Sequence, residues 1–483
     1  MAAVLNSMQI VTRNFASLAG AQFTNLGITF VSSVMVIRYL GVAHYGEYSL
    51  VITLVALFGF AIDLGLTQLV VREVSQHRDQ SSRYLSNFLI VQAIVALIFF
   101  ILLVIFVNVL HYPEIIRLGT YIVGSGMVVG ALVRPFTAIL TAREEMHIIA
   151  AVNVLVSIAN FFIVLGLINF NGSLNTFFVL SLVTNLLTLG LITWLARRYF
   201  RVELHLDRGL IRHLLIMTIP FAMLMLFNIV YGKVDVFMIS RIINSDTAVG
   251  LYSSAYRIID ALIIVPATVS SVLFPIIARN IGDQGATNFV GSRAIKFTAA
   301  LGLPIAFGAV LVGTPLIVLL FGQSFIESGT VLKYLIWMIA LISSYSILGN
   351  ILLSANRVKL LVKLNAIGIV INVGMNLYLI PRYGIIGAAI SSVGAEVIIM
   401  ALHAFFARQY VRFGQLRTDF LKILIACGAM VGVFYLLPEM HVIVTIGILA
   451  VSYGLMLLIL RFIQPVEKDL LRQILPKAKP ASL

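Results

Sequence analysis

The sequence predicts an all-α polytopic membrane protein of about fourteen transmembrane helices, arranged as two parallel-repeat six-helix lobes around a central cavity plus two extra carboxyl-terminal helices. Three observations support this prediction: an apolar composition, a succession of apolar segments long enough to cross a bilayer, and an internal repeat. Ionisable side chains inside the apolar segments then indicate where the function lies.

The composition argues against a water-soluble globular protein. Hydrophobic residues make up 61% of the 483 residues and charged residues 11%, and the mean hydropathy is +1.06. A soluble chain of this composition would expose large apolar patches, whereas a membrane protein needs such a surface to contact acyl chains. The polar stretches are far shorter than the about 100 residues of a typical soluble domain.

Fourteen apolar segments are predicted to span the membrane. Each is close to the about 20 residues that a helix needs to cross the hydrocarbon. They lie at 14–39, 47–71, 86–110, 118–141, 146–169, 176–196, 214–240, 249–277, 297–321, 330–354, 364–380, 385–406, 420–437 and 441–461. The first segment is too long for a cleavable signal peptide and no small-residue cleavage site follows it, so it is expected to stay attached.

The basic residues predict the orientation of the chain in the inner (plasma) membrane. With the amino terminus inside, the cytoplasmic connections and tail hold most of the 33 Lys and Arg residues, as the positive-inside rule requires. Both termini are therefore expected in the cytoplasm. Because the net charge of +14 is explained by this topology and by contact with anionic lipid, no nucleic-acid partner is expected.

The two halves of the chain carry the same succession of motifs. Each half contains an apolar helix, an arginine, a short turn, a glycine and a Tyr-Ser pair. The markers are Arg38, Gly46 and Tyr48-Ser49 in the first half and Arg241, Gly250 and Tyr252-Ser253 in the second. Because six apolar segments separate the copies, both insert in the same orientation, as in many secondary transporters.

The repeat predicts three regions in the chain. Spans 1–6 form an amino-terminal lobe over residues 1–212, and spans 7–12 form a carboxyl-terminal lobe over residues 213–418. Residues 419–483 hold two additional spans and a basic cytoplasmic tail. The function is expected between the lobes, and the last two spans either pack at the periphery or hold a lipid tail.

The sequence lacks the motifs that mark nucleotide-binding proteins, zinc metalloproteases and serine hydrolases. It contains no Gly-x-x-x-x-Gly-Lys-Ser/Thr loop for nucleotide phosphates, no His-Glu-x-x-His and no Gly-x-Ser-x-Gly elbow. The single Cys427 lies in an apolar run, so it forms neither an internal disulfide nor a cysteine metal cluster. We therefore expect no enzymatic activity, no cofactor and no metal site.

Lys233 and Arg257 are the main candidates for a cationic substrate-binding cavity. Lys233 lies about 10 Å from the outer end of span 7, and Arg257 about 12 Å from the outer end of span 8. Two cations at one depth attract a diphosphate or an acidic sugar, and a guanidinium can hold phosphate oxygens bidentately. Alternatively, the two cations neutralise Asp235 and Asp260. Arg257 and Asp260 can meet on one helix face, whereas Lys233 and Asp235 point apart.

Two more arginines are candidates for the same cavity. Arg38 lies at the outer end of span 1, where a long side chain can instead extend to the lipid head groups. Arg134 lies about 10 Å from the inner end of span 4 and precedes Pro135, which removes a backbone donor and can kink the helix toward a lumen.

Carboxyl groups at membrane depth are candidates for ion coupling or for charge pairing, and they include Asp235 and Asp260. Glu396 falls near the middle of span 12, with about 15 Å of helix on either side. A lone carboxyl there is expected to stay protonated unless a cation approaches, which suits coupling to protons or sodium. A hydrogen bond to a neighbouring helix is the structural alternative. Asp63 lies in the inner half of span 2. Its alternative to ion coupling is a charge pair with Arg134.

Asparagines form two polar stripes, one in each half. Asn365, Asn372 and Asn376 fall within about 40° of each other on span 11, and Asn153 and Asn160 line one face of span 5. Carboxamides along a stripe can bind sugar hydroxyls. Hydrogen bonding between helices explains the same pattern.

The order and spacing of several motifs resemble the polysaccharide transporters, the O-antigen-type flippases of the multidrug/oligosaccharidyl-lipid/polysaccharide flippase superfamily. The matching stretches are Val36-Ile-Arg-Tyr-Leu-Gly, Asp63-Leu-Gly-Leu, Arg72-Glu-Val-Ser, Gly250-Leu-Tyr-Ser-Ser-Ala-Tyr-Arg257, Leu273-Phe-Pro and Leu379-Ile-Pro-Arg-Tyr-Gly. The resemblance covers nearly the whole chain.

The resemblance implies both a substrate and partners. The substrate would be an undecaprenyl-diphosphate-linked oligosaccharide, an O-antigen or other surface polysaccharide unit, turned from the cytoplasmic to the outer leaflet by alternating access. Besides membrane lipids, a polysaccharide polymerase and chain-length proteins are implied partners. Arg257 matches a cavity cation of the similar lipid II flippases. Ser32 stands at the position of a second cavity arginine of those proteins, and this difference argues for a different glycan.

Two alternatives remain at this point. One is an antiporter of drugs or small solutes from the same superfamily, which would favour acidic over basic cavity residues. The other is a membrane glycan polymerase or ligase, which would be expected to need larger aqueous loops than the sequence provides.

Overall fold

The computed structural model describes residues 2–59, 62, 65–77, 80–197, 207–212 and 232–463, with the backbone alone for residues 2–19, Ala21 and Gln415. Every regular element in these ranges is helical. Eleven helices among them are long and apolar enough to cross a membrane. The prediction of an all-α polytopic membrane protein is therefore confirmed.

The helices follow the predicted spans over most of the chain. Those of the first half are α1 (Ala2–Gly59), α2 (Leu66–Gln76), α3 (Ser81–Val109), α4 (Glu114–Ala131), α5 (Val133–Ala142), α6 (Met146–Asn169) and α7 (Leu174–Ala196). Those of the second half are α8 (232–242), α9 (Asp246–Leu262), α10 (Ile264–Asn280), α11 (Gln284–Phe321), α12 (Ile326–Leu335), α13 (Trp337–Ser354), α14 (Val358–Ala407), α15 (Arg417–Leu436) and α16 (Val442–Ile459). Most of span 7, predicted at 214–240, lies outside the described residues.

In two of the long helices, one predicted span is followed by all or part of the next at a glycine. Helix α1 is interrupted at Gly41, where φ is 69°, and α14 is interrupted at Gly384, where φ is 59°. Side chains with a β-carbon seldom adopt this left-handed conformation. Glycine therefore lets one span follow another without a separate loop.

Left-handed turn residues recur in both halves of the chain. Four pairs of positive-φ residues are separated by 203, 211, 212 and 213 positions, and they are Gly41 and Asn244, His111 and Gly322, Glu144 and Asn356, and Asn171 and Gly384. The first separation equals that of Arg38 and Arg241, and the other three lie within one position of the 212 that separates Asn160 from Asn372. The backbone thus supports the duplication, since the helix ends turn in the same way at equivalent places.

The predicted second span, 47–71, differs from the structure. Helix α1 ends at Gly59, and a separate helix α2 begins at Leu66. Gly65, directly before α2, has a left-handed φ of 77°. Helix α2 is amphipathic, and its buried side chains recur at helical spacing: Leu66, Leu69, Val70 and Val74. The hydropathy pattern predicts a single span over 47–71 because the end of α1 and the short helix α2 both contribute apolar side chains.

The chain divides into two compact units. Unit 1 comprises residues 1–254, 320–325 and 369–391, and unit 2 comprises residues 255–319, 326–368 and 392–483. In unit 1, α4 packs against α7 and α1 against α6. In unit 2, α10 packs against α13 and α15 against α16. The repeat-based lobes over 1–212 and 213–418 remain a prediction.

The last two transmembrane helices pack against α11 in unit 2. Their shared core includes Ala299 and Ala300 of α11, Ile423 and Cys427 of α15, and Leu449 of α16. This arrangement gives α15 and α16 a packing role within unit 2, and a lipid-binding role for them remains a prediction.

Candidate substrate and coupling sites

The two main predicted cations lie on consecutive helices. Lys233 is half-buried on α8 and belongs to unit 1, whereas Arg257 is half-buried on α9 and belongs to unit 2. Asp260, also half-buried, lies one helical turn beyond Arg257 on α9. Partial burial leaves a long basic side chain able to combine an apolar stem with a polar environment at its tip.

Arg134 lies at a break between two helices. Helix α4 ends at Ala131 and α5 begins at Val133, so Leu132 separates them. The ring of Pro135 cannot coexist with a regular hydrogen bond to the carbonyl of Ala131, which explains the break. Arg134 therefore lies half-buried in the first turn of α5, next to this break, and its orientation toward a lumen remains a prediction.

The repeat-related arginines Arg38 and Arg241 have different surroundings. Arg38 is exposed, three residues before the Gly41 break. Arg241 donates from Nη1 to the carbonyl of Leu110 at 3.1 Å and lies 5.3 Å from the ring centre of Tyr112. These contacts tie Arg241 to the end of α3, which gives it a structural role, while Arg38 remains a candidate for binding.

Asp235 is the centre of a buried polar cluster in unit 1. The hydroxyl of Tyr252 on α9 donates to one Asp235 oxygen at 2.8 Å, and the amide of Asn376 on α14 donates to the other at 2.6 Å. Asn376 Nδ2 also donates to Asn372 Oδ1 at 3.1 Å. The four side chains are at most 4% exposed. We call Asp235, Tyr252, Asn372 and Asn376 the Asp235 cluster.

The Asp235 cluster concentrates oxygen atoms around a buried carboxylate. Asn376 Oδ1 is buried and accepts no hydrogen bond from the described residues. A buried polar atom left in this state is costly unless a ligand or water satisfies it. A carboxylate, two amide oxygens and a phenolic oxygen are the donor types that bind a hard monovalent cation, and a carboxylate at this depth also binds a proton.

The sequence singled out three of the four members but not their association. Asp235, Asn372 and Asn376 were each candidates, whereas Tyr252 served only as a marker of the repeat. Its first-half counterpart, Tyr48, stacks on Phe178 with ring centres 6.0 Å apart. The first-half position matching Asp235 is Ser32, which donates to its own helix at Ile28. The first copy therefore has no carboxylate at the position equivalent to Asp235.

Glu396 lies in unit 2 and is 1% exposed. Tyr345 on α13 interacts electrostatically with its carboxyl. The Tyr345 ring contacts the imidazole of His403, two turns farther along α14, with ring centres 5.1 Å apart. A hydrogen bond from Glu396 to a neighbouring helix remains a prediction, as does its role in ion coupling.

Of the remaining polar candidates, Asn160 makes an interhelical contact. Asn160 on α6 donates to Thr184 on α7 at 2.9 Å. Asn153 is exposed and Asn365 is half-buried. Asp63 lies outside the described residues. Asn160 and the asparagines of the Asp235 cluster therefore favour the interpretation that these stripes join helices.

A buried lysine that sequence analysis missed joins α11 to the last helices. Lys296 has no exposed surface. Its Nζ donates to the carbonyl of Phe462 at 2.7 Å, lies 3.4 Å from an Asp419 oxygen and lies 4.4 Å from the Phe462 ring centre. Arg293 also approaches Asp419, at 3.6 Å. These partners satisfy the charge and hold α11 against the start of α15.

Comparison with family models gives two matches. The model described as polysaccharide biosynthesis protein matches residues 11–281. The model described as MatE matches residues 220–378. The first match covers more than half of the chain.

Two curated relatives from Haloferax volcanii are described as probable flippases. The chain is 26% identical over 208 residues to the probable low-salt glycan biosynthesis flippase Agl15, covering 42% of this chain and 44% of that protein. It is 27% identical over 169 residues to the probable flippase AglR, covering 34% of this chain and 35% of that protein. The chain thus spans less than half the length of each.

The fold is similar to that of solved membrane transporters. The inward closed conformation of the lipid II flippase MurJ superposes with a TM-score of 0.78 at 17% identity, covering 94% of this chain and 99% of that chain. The inward-facing conformation of a multidrug resistance MATE family transporter superposes with a TM-score of 0.66 at 15% identity, covering 80% of this chain and 94% of that one. At these identities the likeness concerns the fold.

Proposed function

Because the chain belongs to the polysaccharide biosynthesis family of the multidrug/oligosaccharidyl-lipid/polysaccharide flippase superfamily, we propose that it is a flippase for a lipid-linked oligosaccharide. The observation that carries this proposal is the family match over residues 11–281. The names of the relatives Agl15 and AglR and the MurJ-like fold point the same way. The resemblance found in the sequence is thereby confirmed at the level of the family.

The proposed substrate is a saccharide attached through a diphosphate to undecaprenol, such as an O-antigen or another surface polysaccharide unit. Lys233 and Arg257 would bind the diphosphate or an acidic sugar, with Arg134 and Arg38 as further contacts. Charge-assisted hydrogen bonds to phosphate are strong, and the planar guanidinium suits two phosphate oxygens at once. The half-buried positions of Lys233, Arg257 and Arg134 support this assignment.

The proposed mechanism is alternating access. The polyprenyl tail stays in the lipid while the sugar head crosses in an aqueous cavity, so the polar head never enters hydrocarbon. The two lobes would rock about the axis that relates the repeats, as in transporters built from parallel repeats. Substrate binding shifts the populations of the two states only through different affinities for them.

We place cation coupling at the Asp235 cluster. A cation bound there would replace the water that ionised Asp235 has lost and would satisfy Asn376 Oδ1, which accepts no hydrogen bond from the described residues. Sodium and protons are the two candidate ions. Asp63 and Asp260 remain further candidates from the sequence, and Asp63 lies outside the described residues.

The substrate proposal is tested by reconstituting the protein with a lipid-linked oligosaccharide and measuring the fraction turned to the other leaflet. Lys233→Gln and Arg257→Gln are expected to lower the rate at least about tenfold, since each removes a charged hydrogen bond to the cargo. Lys333→Gln and Arg382→Gln, which change exposed residues, are matched controls. Equal rates in all four variants would contradict the assigned site.

The accumulating compound in a null strain separates flipping from its alternatives. Lipid-linked saccharide trapped in the cytoplasmic leaflet supports the proposal. Unpolymerised units in the outer leaflet instead indicate a polymerase. Drug sensitivity alone indicates an exporter.

Cation coupling is tested by comparing transport rates in sodium and in choline at fixed pH. Asp235→Asn is expected to abolish the sodium stimulation, because the neutral amide no longer compensates a bound cation. Glu439→Gln changes an exposed carboxylate in the α15–α16 connection and serves as the control. Sodium stimulation that survives in Asp235→Asn would remove the Asp235 cluster from the coupling mechanism.

A second candidate function is the export of drugs or small solutes. The match of the MatE model to residues 220–378 and the MATE-like fold favour it. The basic candidate residues favour an anionic cargo, and the flippase is therefore our first proposal. Transport of a cationic dye by the reconstituted protein, with no flipping, would reverse this order.

We further propose the inner membrane as the location, with both termini in the cytoplasm. The bias of Lys and Arg toward alternate connections supports this topology. A polysaccharide polymerase and chain-length proteins are proposed partners, because they would use the flipped units.

A further inference from the structure

A polar cavity lies between the starts of α11 and α15, within unit 2. Its volume is about 560 Å³, inside the range of about 300–1,000 Å³ that is typical of small-molecule sites. Most of its lining residues have polar side chains. The lining residues are Gly285, Asn288, Phe289, Ser292, Arg293, Leu416, Thr418 and Asp419. The cavity therefore suits a polar ligand, and it shares no residue with the cargo and coupling sites proposed above.

The cavity runs from an exposed mouth to a buried floor. On α11, Phe289, Ser292 and Arg293 are three or four residues apart or adjacent, so they lie on one side of the helix. Phe289 and Thr418 are exposed, Arg293 is half-buried, and Ser292 and Asp419 are buried. The guanidinium of Arg293 lies 5.5 Å from the ring centre of Phe289. A ligand that enters past Phe289 and Thr418 therefore meets the charge of Arg293 near the mouth.

The two segments that form the cavity are basic. Residues 278–296 and 407–419 contain six basic and two acidic residues, which are Arg279, Arg293, Lys296, Arg408, Arg412 and Arg417 against Asp283 and Asp419. Asp283 accepts from the backbone nitrogen of Gly285 at 2.7 Å. Asp419 is approached by Lys296 at 3.4 Å and by Arg293 at 3.6 Å. The excess of positive charge in these segments favours an anionic ligand.

The position of the cavity along the chain places it at a membrane surface. The predicted span 297–321 begins four residues after Arg293, and the predicted span 420–437 begins directly after Asp419. In the predicted topology both preceding connections are cytoplasmic. Basic pockets between transmembrane helices on this side typically bind the phosphate-bearing head groups of anionic lipids.

The side chains of the cavity have the donors that a phosphate group requires. The planar guanidinium of Arg293 can bind two phosphate oxygens at once. It carries five N–H donors, so contacts with Asp419 and with a phosphate are compatible. The hydroxyl of Thr418 is a further donor at the mouth. Ionised Asp419 only accepts hydrogen bonds, which suits the hydroxyl groups of a glycerol next to the phosphate.

We propose that the cavity between α11 and α15 binds the phosphate group of an anionic ligand, either the head group of an anionic phospholipid or a soluble phosphate ester, through Arg293 and Thr418. This site is separate from the cargo site, and the proposal does not depend on which cargo is transported. Because the ligand would contact both α11 and α15, its binding is expected to hold the last two helices more firmly in unit 2.

The test measures ligand binding to the purified full-length protein by native mass spectrometry. The probes are phosphatidylglycerol, whose head group is anionic, and glycerol 3-phosphate, which carries the same chemistry without acyl chains. Phosphatidylethanolamine with the same acyl chains and no net charge gives the background from acyl-chain binding. The first phosphatidylglycerol is expected to bind at least about tenfold more tightly than this background, a difference of about 1.4 kcal/mol.

Two variants test the site in different ways. Arg293→Gln removes the guanidinium and is expected to weaken phosphatidylglycerol binding at least about tenfold. Thr418→Glu adds a negative charge at the mouth and is expected to weaken binding similarly. Folding should tolerate this change, because Thr418 is exposed and an acidic residue is favourable in the first turn of a helix. The controls are Arg72→Gln and Gln76→Glu, which make the same changes at exposed residues of α2.

The pattern across probes and variants decides the outcome. Binding of phosphatidylglycerol that is lost in Arg293→Gln and Thr418→Glu, and that is much tighter than binding of glycerol 3-phosphate, supports a lipid head group as the ligand. Equally tight binding of glycerol 3-phosphate with the same losses supports a soluble phosphate ester. If neither probe binds more weakly to Arg293→Gln and Thr418→Glu than to the two controls, the proposal is overturned. Because no cargo is present in this experiment, the flippase proposal is unaffected by its result.

Discussion

Gly46 and Gly250, equivalent residues of the two repeats, lie against each other in unit 1. A β-carbon on Gly46 would lie 3.0 Å from the backbone nitrogen of Gly250 and would overlap the carbonyl oxygen of Asp246. A β-carbon on Gly250 would lie 3.1 Å from the nitrogen of Gly46 and would overlap the carbonyl oxygen of Val42. The contact is reciprocal, as expected where two related segments meet around a local two-fold axis.

Substituting either glycine by alanine should therefore separate the two segments. The neighbouring atoms are backbone and cannot turn away, so Gly46→Ala and Gly250→Ala are each expected to cost about 1–3 kcal/mol of stability. Thermal unfolding in detergent measures this loss. Gly308→Ala is the control, because no atom lies within 4 Å of its added β-carbon. Equal stability of Gly250→Ala and Gly308→Ala would show that the segments have room to move.

Replacing Lys296 or Asp419 alone is expected to destabilise the protein far more than replacing both together. Lys296→Met leaves Asp419 buried, at 3% exposure, without its closer cation, and such a loss typically costs about 3–5 kcal/mol. Replacing both by Met and Leu removes the two charges together, so the double variant should recover much of the loss. Lys333→Met, at an exposed lysine, is the control. A double variant as unstable as the sum of the single variants would contradict this account.

Sequence analysis located most helices and the duplication but not the long-range pairing of polar residues. The spans follow from runs of apolar residues, and Gly41 and Gly384 fall where the connections between spans were expected. Asp235 and Asn376 are 141 residues apart, and no local pattern indicates that they meet. Lys296 falls one residue before the predicted span 297–321, and its hydropathy alone gives no sign that it is buried. Its contacts with Asp419 and Phe462 offset the cost of burying the charge.

The Asp207–Arg83 ion pair should make stability depend on pH. Asp207 accepts from the backbone of Leu210 at 3.0 Å and from Arg83 Nε at 3.0 Å. The Leu210 hydrogen bond, followed by the Arg83 guanidinium, lowers the pKa of the Asp207 carboxyl. The stabilisation is therefore present above the pKa of this group in the unfolded chain, and it is lost as pH falls through the lower pKa of the folded state.

Comparing the stability of the wild type with that of Asp207→Asn tests this pH dependence. The wild type is expected to be the more stable protein at neutral pH, and the difference should shrink on acidification. Thermal unfolding across a pH series measures it, with Glu439→Gln as a control at an exposed carboxyl. A difference that grew toward acidic pH would mean that Asp207 is not stabilised as an anion.

Tyr252 should contribute to stability mainly through its hydroxyl group. The ring is fully buried and its hydroxyl donates to Asp235 at 2.8 Å. Tyr252→Phe keeps the ring but removes a donor from a buried carboxylate, which is expected to cost about 1–3 kcal/mol. Tyr378→Phe, at a tyrosine that is 59% exposed, should change stability little. Because Asp235 and Tyr252 act on one another, the losses in Tyr252→Phe and Asp235→Asn should not add in the double variant. Strict additivity would show that the hydroxyl and the carboxylate do not interact in the folded protein.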